Sequence, residues 1–169
     1  MSGKSSHPTF YTLLQRRLHW LVIVLLMGQF ALQNPMREAM AAIQRQETLG
    51  FVQFLVTTAH SWGGICIAVV MVWRWQLRKQ VVPLNGGHLS RLRSRWVNAH
   101  HVGLYAVTIA MATTGAMHHY LEWSFAARLH IVGKWLLFAL IALHVTGALV
   151  HMRQGSTVLR RMMGRNSTP

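Results

Sequence analysis

Four long apolar stretches divide this chain and leave few folds open to it. They run from about Leu18 to Leu32, Phe51 to Trp75, Trp96 to Met117 and Leu129 to Met152. A helix needs roughly 20 residues to cross the hydrocarbon of a bilayer. The pattern predicts helices over about 10–33, 50–77, 95–118 and 129–152, in one domain spanning residues 1–169. Four crossing helices joined by short connections make an all-α, up-down-up-down membrane bundle. The first stretch is the shortest. It also has the parts of a signal peptide: Arg16-Arg17, an apolar run, then Ala39-Met40-Ala41. Arg37 and Glu38, immediately before that site, argue against cleavage.

Composition agrees. Hydrophobic residues make up 52% and charged residues 12%, against about 25% charged in a soluble domain. This excludes a disordered chain and argues against an ordinary soluble enzyme. The single cysteine, Cys66, excludes an internal disulfide and a cysteine zinc site; no Cys-x-x-Cys-His run exists to attach a c-type haem.

Seventeen Lys and Arg against three acids would point to nucleic acid in a soluble protein. Their positions say otherwise. With the N-terminus in the cytoplasm, the inner segments hold Lys4, Arg16, Arg17, Arg74, Arg78, Lys79, Arg91, Arg93, Arg95, Arg153, Arg160, Arg161 and Arg165, or 13 of the 17. Arg37, Arg45, Arg128 and Lys134 fall outside with Glu38, Glu47 and Glu122. This positive-inside bias accounts for the charge without nucleic acid and places both termini in the cytoplasm. Residues 36–48 are expected as an outer loop or short interfacial helix, Pro83, Gly86 and Gly87 as the inner loop, and 119–128 as a short outer turn.

Eleven histidines are many for a chain in which ionisable groups are costly to bury. His130 and His144 are 14 residues apart, roughly 21 Å of helix rise and within about 40° of one azimuth. His60 matches the depth of His130, and His19 that of His144. Two facing imidazoles at one depth are what a low-spin b-type haem needs, with both axial positions filled. Histidines bonded between helices, and zinc, are the competing readings; two matched pairs favour haem. Arg74 follows His60 by 14 residues and points to the inner pair, either to bind a haem propionate or as a plain positive-inside residue. His100, His101, His118 and His119 are expected as polar interfacial residues, and His7 and His88 as tail and loop residues. Gly63, Gly64, Gly103, Gly133 and Gly147 are read as small residues at helix contacts.

With these residues the sequence resembles the bacterial cytochrome b561 family over nearly its whole length. The likeness is carried by Leu18-His19-Trp20, by His60 with Gly64, by His101 with Tyr105 and Gly115, by His130, by the run from His144 to His151, and by the tail from Ser156 to Met163. The resemblance implies four helices, two b haems ligated by His19, His60, His130 and His144, and a bacterial inner membrane. It also implies oxidation of superoxide outside and reduction of ubiquinone in the membrane. The outer loops depart from that type: the one before His60 is longer, the turn before His130 shorter. A haem subunit passing electrons between quinone and a partner dehydrogenase or hydrogenase is the alternative, and a histidine proton relay in a transporter a third reading. For an anionic substrate, Lys134, one turn after His130, and Arg128 are the candidate steering charges; Lys134 reads equally as an amine snorkelling to the interface. His151, seven residues after His144, is the candidate quinone ligand near Trp20 and Arg153, against the simpler role of a helix C-terminal histidine.

Overall fold

Backbone groups in lipid must be satisfied within the chain, and the described residues do this with helices alone. The computed structural model describes residues 12–79 and 91–153, the side chains of 91–93 excepted. The expected helix start near Phe10, the inner-loop residues Pro83, Gly86 and Gly87, His7, His88 and the basic tail from 154 onwards lie outside the described residues. Five helices follow in order: α1 Leu13–Ala31, α2 Gln33–Gln44, α3 Phe51–Arg78, α4 Arg91–Leu121 and α5 Ser124–Arg153.

α1 begins at a reciprocal cap. Thr12 Oγ1 accepts from the Gln15 amide at 3.2 Å, and the Thr12 amide donates to Gln15 Oε1 at 2.9 Å. Gln15 is buried, and its Nε2 also donates to the Leu77 carbonyl at 2.9 Å. One side chain therefore caps α1 and ties it to the far end of α3, which makes the two helices antiparallel. Gln15→Ala is expected to lower stability by about 1–3 kcal/mol, the cost of a lost cap plus an unpaired carbonyl. Thermal unfolding in detergent checks this; an unchanged midpoint would show the link to be idle.

α2 continues α1 after a bend of 47° at Leu32. Pro35 is the reason: it has no N–H to give to the Ala31 carbonyl, while in the first turn of a new helix that lack costs nothing. The segment expected as a loop from residue 36 is thus helical from Gln33, with Ala39 and Ala42 buried. Arg45 and Glu47 then form an exposed two-point ion pair, at 2.6 and 3.0 Å, that holds the Glu47 carboxyl below the usual carboxylate range.

By length and apolarity, α3 and α5 qualify as membrane spans, and the bent pair α1–α2 qualifies together as a third. α4 is 31 residues long but less apolar, because it carries His100, His101, His118, His119 and three threonines over its middle. Its hydroxyls are internally satisfied: Thr108 donates to the Leu104 carbonyl at 2.7 Å, Thr113 to Ile109 at 3.0 Å and Thr114 to Ala110 at 2.8 Å. The turn expected over 119–128 shrinks to Glu122 and Trp123. Glu122 takes a left-handed φ of 51° that stops α4, and the Trp123 carbonyl already accepts from Ala127 to open α5.

α3 packs closely on α1, α2 and α4, whereas α5 packs closely on α4 alone. Val22, Ile67, Met71 and Tyr105 form the buried centre where α1, α3 and α4 meet. The outer faces carry Val24, Met27, Trp62, Val69, Val132 and Trp135, all exposed. A continuous apolar exterior of this size is at home in lipid and not in water.

Candidate functional site

Two pairs of imidazoles face each other across helices whose backbones do not pack closely. His60 on α3 and His130 on α5 have ring centroids 6.4 Å apart at 74°. His19 on α1 and His144 on α5 have centroids 6.2 Å apart at 66°. Metal–nitrogen bonds of about 2 Å on each side, together with two ring half-widths, put the centroids of two axial imidazoles about 6.3 Å apart. Both pairs have that spacing, and 14 residues of α5 separate them.

His130 is positioned by α4. Its Nδ1 lies 2.9 Å from the Met111 carbonyl and 3.4 Å from Thr114 Oγ1. A carbonyl only accepts, so Nδ1 carries the proton and the Nε2 lone pair is left for a metal. Gly115 makes the approach possible: a Cβ there would stand 3.0 Å from Cε1 and 3.2 Å from Nδ1 of His130. Gly133 on α5 admits the Met111 sulfur, which a Cβ would meet at 2.7 Å. Gly63 meets Gln29 and Gly103 meets Leu140, whereas Gly64 and Gly147 have open space around the Cβ position.

The second pair is crowded by two further histidines that sequence reasoning assigned to the interface. His100 and His101 on α4 have ring centroids 5.8 and 5.5 Å from that of His144. Both nitrogens of His100 are buried without a hydrogen-bond partner, as are Nδ1 of His60 and Nδ1 of His118. The correction has a physical cause: α4 starts at Arg91, not Trp96, so His100 is more than two turns inside the helix. Its place against α5 follows from packing that no spacing rule supplies.

Arg74 is half-buried and lies close enough to His19, His101 and His144 to act on all three electrostatically. Arg78, not singled out from sequence, acts on His101; its guanidinium lies 5.9 Å over the rings of both Trp75 and Tyr105 and bonds Asn98. Its position one turn after Arg74 was the available signal. Lys134 is half-buried and acts on His130, with Nζ 4.9 Å over the Trp135 ring. Arg128 is exposed, over the Phe125 ring at 5.9 Å. His151 is half-buried near the end of α5 and touches no other ring. Trp20 meets the His19 ring at 6.0 Å, and Arg153 is exposed at the last residue of α5.

Among the described residues no three His, Cys, Asp or Glu side chains converge to hold a metal ion alone. Paired imidazoles fit a group that brings its own equatorial ligands, as a porphyrin does. The fold and the paired rings thus define a helical membrane protein suited to haem. The sequence profile described as prokaryotic cytochrome b561 matches residues 10–165, and the chain belongs to that family. It is a bacterial membrane haem protein of electron transfer. No curated protein matches the chain.

Proposed function

We propose that the protein moves electrons across the bacterial inner membrane through two b-type haems, oxidising superoxide on the outer side and reducing ubiquinone in the membrane. His60 and His130 hold the outer haem, His19 and His144 the inner one. The single observation that carries this is the spacing of the two ring pairs, 6.4 and 6.2 Å, set 14 residues apart on one helix. Haem iron with two imidazole ligands supplies one-electron redox chemistry without an open coordination site. Two superoxide anions lose one electron each to become dioxygen; two electrons and two protons convert the quinone to a quinol.

His144 has closer rings than His19, but His19 is the better partner across a porphyrin. α4 packs closely on α5 and leaves no width for the macrocycle between them, whereas α1 does not. His100 and His101 stand at the edge of the site. Arg74 supplies a cation for a propionate; Glu38, Glu47 and Glu122 are the only acids in the chain, and all lie far along it from this cluster. α4 is a fourth crossing helix in this reading, its polar residues turned to α3 and α5 and its hydroxyls bonded to its own backbone. The basic residues put both termini in the cytoplasm.

Lys134 and Arg128 set a positive field at the outer entrance. Replacing both with Gln is expected to slow reduction of the outer haem by superoxide and to flatten its dependence on ionic strength. Stopped-flow reduction at several salt concentrations measures this. An unchanged rate and salt slope would reduce both residues to topological signals.

The two-residue turn between α4 and α5 supports a second reading, a haem subunit serving a separate oxidoreductase, because it leaves little outer structure to shape a substrate entrance. Reduction of the purified protein by superoxide at a rate near diffusion supports the first reading. Activity only with a co-purifying dehydrogenase supports the second.

A further inference from the structure

His130 has a hydrogen-bonded Nδ1, whereas Nδ1 of its partner His60 has none. Among the described residues no hydrogen bond is made by the rings of His19 or His144. The Met111 carbonyl draws the His130 proton toward itself and makes the imidazole a stronger electron donor. A stronger donor stabilises ferric over ferrous iron. At the other site the dominant feature is a cation. Arg74 acts on both His19 and His144, and a positive charge disfavours the more positive ferric state. The two influences have opposite signs and sit at opposite ends of α5.

We infer that the Met111–Gly115 segment of α4 is a tuning element for His130 that sets the outer haem at a lower potential than the inner haem, which Arg74 raises. This rests on the di-haem reading. It gives the bundle a downhill direction from the His130 end to the His144 end, whatever molecule donates the electron. Lys134 opposes the effect from one turn beyond His130, but its ammonium is held over the Trp135 ring, and it is a single cation against Arg74 with Arg78 behind it. Gly115 is a positioning residue here: it acts only by letting the ring reach the carbonyl.

A redox titration of the purified full-length protein, followed in the visible bands, tests this. Two waves are expected, and the lower one should be missing in His60→Ala. Gly115→Ala should push the His130 ring from the Met111 carbonyl and raise the lower wave, leaving the upper in place. Thr114→Val, which keeps the shape and removes only the longer contact, should move it the same way by less. Arg74→Gln should lower the upper wave alone. Electron paramagnetic resonance should show altered ligand-field values for the outer haem in Gly115→Ala and none for the inner. If Gly115→Ala loses the outer haem, Thr114→Val and the His60→Ala assignment decide. The inference is overturned if His60→Ala removes the upper wave, or if the His130 variants keep their haem at an unmoved potential. A haem-free unmutated protein would instead sink the di-haem reading.

Discussion

His130→Ala is expected to remove one of two haems and leave the spectrum of the other intact, and His60→Ala to do the same. His144→Ala and His19→Ala should remove the second haem in the same independent way. Each haem is held by one ligand from each of two helices, so losing either leaves an iron with one protein bond and a site open to water. The pairs are roughly 21 Å apart along α5, beyond the range over which single-site changes couple. A pyridine haemochrome assay on each variant counts the haems directly. His100→Ala is the informative control: it should keep two haems, although the ring of His100 lies nearer to His144 than that of His19 does. One haem per chain in the unmutated protein, or loss of the inner haem in His100→Ala with retention in His19→Ala, would show the ligand set to be wrong.

His151→Ala should leave both haem spectra and the entry of electrons untouched, while delivery to a ubiquinone analogue slows tenfold or more. His151 is seven residues after His144, within about 20° of the same azimuth and nearly two turns nearer the cytoplasmic interface. A quinone headgroup there gains a hydrogen bond from the imidazole to its carbonyl, and its reduction needs protons that the same ring can hand on. A fully engaged general acid contributes roughly 10²–10⁴-fold, so tenfold is a cautious floor. Pre-reducing the haems and mixing with the quinone isolates this step. If the variant delivers electrons at the unmutated rate, His151 is a helix-end residue and the exit lies elsewhere, with His101 the next candidate.

The apolar segments and the spacing of His130 from His144 were legible in the sequence because both are local: a helix has a fixed rise and turn, so 14 residues imply one depth difference and nearly one face. The partners His60 and His19 were legible for the same reason, by counting depth from the helix ends. The element boundaries were less so. The expected loop from residue 36 is helix from Gln33, because a proline in a first turn bends a helix without ending it. The expected turn over 119–128 is two residues, because Glu122 reverses the chain in a left-handed conformation that its residue type does not advertise.

By itself, then, the sequence determined which segments seek lipid, how the basic residues are distributed between their ends, and which imidazoles share a depth, since these depend on composition and helical geometry alone. Only the tertiary structure decided how the helices pair. It set α5 closely against α4 and apart from α1 and α3, brought His100 and His101 against His144, and seated His130 on the Met111 carbonyl through Gly115. Those contacts depend on interhelical approach, which small residues and the fit of side chains set across distant parts of the chain. No periodicity along one helix carries that information.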